Sequence, residues 1–106
     1  MTTEYETDTI LPPMHPGEVL REAFMVPLNL TAYAIAEACA VPHTRIERIA
    51  REEIGLAADM AFRLGRHFGI DPQGGLNLQG RFDLLTARNA VGAQVDAIRP
   101  LERDAA

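Results

Sequence analysis

A corner in the middle of the chain limits the possible folds more than any other feature. From Thr31 to Ala50 the sequence reads TAYAIAEACAVPHTRIERIA. Ala32, Ile35, Ala36 and Cys39 recur at the i, i+3, i+4, i+7 spacing of one helix face. Thr31 stands just before them, where its hydroxyl can accept a bond from an orphan N–H of the first turn. Ala40-Val41-Pro42 interrupts the run, because a proline drives the residue before it out of helical geometry. Ile46, Ile49 and Ala50 then repeat the spacing, and the opposite side carries His43, Thr44, Arg45, Glu47, Arg48 and Arg51. Two short amphipathic helices meet at a corner, the second rich in arginine on the side that a core does not need. This is the plan of a helix-turn-helix, whose second helix enters the DNA major groove. A plain helical hairpin shares the periodicity, and the arginines separate the two readings.

The 106 residues suffice for one domain with its own core. Cys39, the single cysteine, cannot form an intramolecular disulfide and lies on the apolar face, so it reads as a small buried hydrophobe. Apolar stretches fall short of the ~20 residues of a membrane span. No basic-then-apolar leader opens the chain, and a cytoplasmic protein with no membrane partner is expected. The net charge of −5 weighs mildly against nucleic-acid binding. Its distribution weighs the other way. Glu4, Glu6 and Asp8 gather near the start, whereas three arginines oppose one glutamate between His43 and Arg51. All ten basic residues are arginine, whose fork suits bidentate contact with phosphate or guanine.

Around this corner the chain reads as helices throughout. Residues 1–13 are acidic, lack periodicity and are expected to form a flexible arm. A first helix starts at His15-Pro16-Gly17-Glu18, with His15 as a capping residue, Pro16 at the first helical position and Pro27 ending it. Leu28 and Leu30 are expected to pack under the link to Thr31. A fourth helix places Ala61, Leu64, Gly65 and Phe68 on one face, with Asp59 near its start favouring the helix dipole. Asp71-Pro72 caps a fifth helix carrying Leu76, Leu78, Phe82 and Leu85. The expected architecture is an all-α, five-helix domain over residues 14–88, followed by an irregular tail over 89–106.

Other chemistries are poorly supported. His15, His43 and His67 have no ligand spacing, so no metal site is expected. Glu52-Glu53 lacks a nucleophile, and Gly74-Gly75 lacks the preceding strand of a dinucleotide site. No catalytic residue and no cofactor is assigned, and an enzyme is not expected.

The segments MHPGEVLREAF, LNLTAYAIAEACAVPHTRIERI, ADMAFRLGRHFGIDP and LNLQGRFDL resemble the HigA-type antitoxins, a branch of the lambda-repressor-like (XRE-type) helix-turn-helix proteins. The resemblance runs from about His15 to Leu84. It implies a five-helix DNA-binding domain that dimerises, represses its own operon and neutralises a HigB-like toxin, a RelE-like ribonuclease that cuts mRNA. Four positions depart from the pattern. Glu52-Glu53-Ile54 stands where a Gly-Lys-Arg-like turn is usual, and Ala32 where many relatives have a phosphate-gripping glutamine. Ala57 replaces a Ser or Thr cap, and Gly74-Gly75 replaces a Phe-Trp pair. A free-standing regulator without a toxin, or a toxin-binding module with weakened DNA affinity, are the alternatives.

On this reading His43, Thr44 and Arg45 approach base edges, and Arg48 reaches a base or phosphate, with Arg51 farther along the same helix. Thr31 and the helix end behind it hold a phosphate. Arg45 and Arg48 are expected in solvent when DNA is absent, because neither can enter the core without a partner charge. Leu78, Phe82 and Leu85 are the expected homodimer contacts, since the fifth helix is not needed to frame the reading unit.

Overall fold

The computed structural model describes residues 13–102, and among these there are five helices and no strand. The expected arm, residues 1–13, lies almost wholly outside the described residues. Helix α1 is α-helical over Pro16–Val19 and π-helical over Leu20–Met25. It is followed by α2 (Ala32–Cys39), α3 (His43–Ala50), α4 (Ala58–Phe68) and α5 (Pro72–Asp96).

The caps follow from the sequence. His15 Nδ1 accepts a hydrogen bond from the Gly17 N–H at 2.8 Å, so the imidazole does the work of an N-cap carboxylate. The ring is buried, and its edge meets Phe82 of α5 with centroids 4.9 Å apart. Thr31 Oγ1 accepts from the Ala34 N–H at 3.1 Å, and Asp71 Oδ1 from the Gln73 N–H at 3.0 Å. Between α2 and α3, Ala40 takes the left-handed conformation at φ 60°, which turns the chain through the corner.

The four most enclosed side chains, Ile35, Ile46, Ile49 and Met60, come from α2, α3 and α4. Ala36, Cys39, Ala50, Ala61 and Leu64 join them, as the helical spacing predicts; Met60, one residue before Ala61, widens the α4 stripe. Leu30 packs against this core, but Leu28 is 56% exposed, contrary to expectation. Asn29, at φ 55°, reverses the backbone between the two, and the Leu30 N–H returns to the Met25 carbonyl. Only one of the two leucines can then face inward.

α1 crosses α3 in close backbone contact. A side-chain carbon at Gly17 would collide with the Ile49 carbonyl oxygen. One turn on, Arg21 donates to the Ala50 carbonyl and reaches the Glu52 carboxylate at 3.3 Å. Glu52 has φ 64°, a conformation that suits glycine and costs a side-chain-bearing residue about 1 kcal/mol. The ion pair with Arg21 offsets only part of that, because both groups are more than a third exposed. The loop after it is closed by Gln79 of α5, whose Oε1 accepts from the Leu56 N–H at 2.7 Å.

Gly75 lies tight against Leu56: a side-chain carbon there would stand 2.8 Å from its Cδ2 atom, so the leucine would have to shift. Beside it a cleft of about 80 Å³ opens between α1, α4 and α5, walled by Phe24 and Phe68 at 4.3 Å and lined by Leu20, Leu64 and Leu78. Of the glycine pair, Gly74 faces open space, whereas Gly75 lets α5 lie close over Leu56. α5 itself continues to Asp96, through part of the stretch expected to be an irregular tail. Irregularity within it is confined to Val91, at φ −129° and ψ 17°. Alanines and glutamine around that point favour helix, and Pro100 lies beyond its end. At 1.5 Å per residue α5 is about 37 Å long. It projects from the body, which explains the 54 × 28 × 25 Å extents.

α4 lacks the side-chain cap that α2 and α5 have: Ala57 has cap geometry, φ −83° and ψ 163°, but no oxygen to offer. Ala57→Ser should therefore stabilise the fold by about 1 kcal/mol, raising the thermal midpoint by a few degrees. Calorimetry checks this; an unchanged or lower midpoint contradicts the account of this helix end.

Candidate nucleic-acid interface

The rotation of α3 is set by its buried side. With Ile46 and Ile49 enclosed, Thr44, Arg48 and Arg51 are left on the outer side, all exposed. His43 and Arg45 lie on the flanks, half-buried. His43 stacks on Tyr33 of α2, with ring centroids 4.0 Å apart and planes 16° from parallel. Tyr33 is 65% exposed, so the pair adds a flat aromatic step to the N-terminal end of α3. Thr31, the N-cap of α2, accepts the capping bond at its oxygen and keeps its hydroxyl proton to donate.

The arginines are not simply solvated. Arg45 Nη2 donates to Asp59 Oδ1 at 2.8 Å, across from α3 to the first turn of α4. Asp59 Oδ2 also lies 3.8 Å from Arg63 Nε. Arg48 Nε is 3.7 Å from Glu53 Oε1, a looser contact between two groups about half exposed. Arg48 lies in solvent, as expected, and Arg45 is half-buried; each leans on a carboxylate supplied by a neighbouring turn. Arg51 is exposed.

These contacts shift one titration. The hydrogen bond from Arg45 holds the Asp59 carboxyl below its ordinary 3.8, against the opposing effect of desolvation. The charge of Arg45, the Met60 N–H and the charge of Arg63 add to the lowering. Burial pushes the Cys39 thiol up, with Arg63 opposing, so the thiol stays protonated at neutral pH and behaves as a core hydrophobe. Among the described residues no His, Cys, Asp and Glu cluster could hold a metal ion, and no helix is long and apolar enough to cross a membrane.

The expected reading residues, Thr31, His43, Thr44, Arg45, Arg48 and Arg51, thus fall at the outer side of α3 and the start of α2. The expected dimer residues do not share such a surface. Leu85 is buried, Phe82 packs on His15 and Leu78 lines the cleft, so all three serve the chain's own body. The spacing 78, 82, 85 marks one face of α5, and α1 and α4 cover that face. Exposed apolar side chains instead continue along its outer half, Leu84, Val91 and Val95, with Ile98 just past its end. Tyr33 and Asp59 are functional candidates that sequence reasoning missed. Tyr33 could have been flagged as a large aromatic off the apolar stripe. Asp59 was visible only as a dipole partner, since nothing in the sequence links it to a residue fourteen positions earlier.

The chain is 44% identical to virulence-associated protein I of Dichelobacter nodosus over 95 residues, covering 90% of this chain and 87% of that protein. It is 30% identical to antitoxin HigA-1 of Vibrio cholerae over 89 residues, covering 84% of each. The chain belongs to the HigA antitoxin family. Its fold matches the solved Pseudomonas aeruginosa antitoxin HigA with the higBA promoter at a TM-score of 0.81 and 42% identity, over 85% of this chain and 99% of that one. No family model matches the chain. As a member of the HigA family it is a DNA-binding antitoxin and regulator, not an enzyme.

A carboxylate whose pKa is lowered by folding adds stability above its unfolded pKa and loses it as pH falls through the lower, folded value. For Asp59 this window lies below 3.8. A carbon-13 NMR titration should find the Asp59 carboxyl ionising below 3.8 in the wild type and moving back toward 3.8 in Arg45→Ala. A titration indifferent to that substitution would show that the ion pair does not form in solution.

Proposed function

We propose that α3 of this HigA-family protein is its operator-reading helix. Thr44 and Arg45 at the N-terminal end approach base edges, and Arg48 and Arg51 follow the groove wall. Thr31, His43 and Tyr33 meet the backbone beside them. The observation carrying this reading is the full burial of Ile46 and Ile49, which turns the arginine-bearing side of a short helix outward. The Pseudomonas relative solved with its promoter supports the same use of the fold. Binding at its own promoter makes the protein an autorepressor, and we propose a HigB-like, RelE-like ribonuclease as the toxin it neutralises in the cytoplasm. The acidic residues 1–13 suit the basic surface of an RNA-cutting enzyme. The carboxylates beside Arg45 and Arg48 favour, as a second reading, a toxin-binding module of reduced DNA affinity.

Gel shifts and fluorescence anisotropy on the upstream promoter test the first reading. Arg45→Ala should weaken operator binding by roughly 1–3 kcal/mol and barely affect random DNA. Arg48→Ala should weaken both alike and reduce the salt dependence by about one unit of slope. Wild-type affinity in both variants favours the module instead.

We infer that two copies pair through the outer half of α5, because one helix-turn-helix seldom supplies useful affinity and operator half-sites lie about one DNA turn apart. Leu84, Val91 and Val95 follow a seven- and four-residue spacing along this helix, and Ile98 lies just past its end. Val95→Glu should give a monomer in sedimentation with an unchanged helical signal, whereas a variant that still dimerises would remove this surface from consideration.

A further inference from the structure

The contact between α3 and α4 gives Asp59 a task that reaches beyond stability. We propose that Asp59 is a positioning residue for DNA selectivity: it holds the Arg45 guanidinium toward base edges and keeps it off the phosphate backbone. The proposal rests on the reading of α3 given above and deepens it.

Three observations carry it. Arg45 is tied to Asp59 by a short, charge-assisted bond of 2.8 Å, with the arginine side chain only 33% exposed. Asp59 sits in the first turn of α4, with its second oxygen 3.8 Å from Arg63 Nε of the same helix. Its backbone is therefore fixed by α4, and Arg63 holds the second oxygen while the first takes Arg45. Finally, the bond links a flank of the outward side of α3 to a rigid helix of the core.

The chemistry follows from the guanidinium. It has five N–H groups in a fixed fork, and the bond to Oδ1 takes one, leaving enough for a bidentate pair with guanine. A free arginine at the same place would sample many rotamers and find the nearest phosphate, which carries no sequence information. The tie removes much of that freedom before DNA arrives. The Asp59 charge also repels phosphate, which lowers affinity for every duplex, operator and random alike. Asp59 thus exchanges total affinity for discrimination.

The test uses the full chain with two duplexes of equal length, one enriched from a random library by the wild-type protein and one of random sequence. Asp59→Ala should raise affinity for random DNA several-fold and lower the ratio of enriched to random affinity about tenfold, within the range one base contact supplies. Asp59→Asn, which keeps shape and an acceptor, should lower the ratio less and serves if the alanine variant is unstable. Arg45→Ala should lower the ratio on its own, and adding Asp59→Ala to it should lower it no further. If Asp59→Ala and Asp59→Asn raise both affinities by one common factor while Arg45→Ala still lowers the ratio, Asp59 only subtracts charge, and the positioning role is overturned. If Arg45→Ala keeps the full ratio, the reading of α3 through Arg45 fails, and this proposal fails with it.

Discussion

Burial of Ile46 and Ile49 is the constraint on which the rest depends. Both side chains are essentially inaccessible to solvent, and each such burial is worth roughly 1.5–3 kcal/mol. Rotating α3 by even a quarter turn would expose one of them and bury an arginine. The helix is therefore locked about its axis by hydrophobicity, and its polar side is aimed as a consequence. Gly17 tightens the lock from behind, because only a residue without a side chain lets α1 lie against the Ile49 carbonyl. A reading surface that takes no part in the core is thus oriented by the core.

What could be read in the sequence was what depends on spacing. The α2 and α3 stripes, the corner between them, the His15, Thr31 and Asp71 caps and the Ala61–Leu64–Gly65 face all follow from periodicity or cap chemistry within a few residues. What could not be read depends on where helices meet. The Arg45–Asp59 and Arg21–Glu52 pairs span 14 and 31 positions, and no local pattern announces them. The face of α5 shows the same limit. Leu78, Phe82 and Leu85 are a stripe in any reading, but whether a stripe serves the chain or a second copy depends on what α1 and α4 cover.

The acidic turn after α3 illustrates how a substitution changes roles rather than simply removing one. In place of a glycine, Glu52 accepts a left-handed backbone and binds Arg21, while Glu53 leans toward Arg48. One carboxylate thereby joins the turn to α1, and the other offsets part of the charge that would seek phosphate. The turn is held from the protein side where the usual basic turn is held from the DNA side.

These pairs bear on how a chain of net charge −5 can bind a polyanion at all. Long-range attraction falls off over about 8 Å at physiological ionic strength. Acids elsewhere on the surface therefore matter less than those within a few ångströms of the helix. Glu47 lies on the helix itself, and Asp59 and Glu53 sit on the arginines. A protein built this way gains little from non-specific charge and must obtain its binding from contacts that random DNA does not offer. Weak attraction to the bulk of the chromosome is then an advantage, because competing sites outnumber the operator by orders of magnitude and each would otherwise hold a copy.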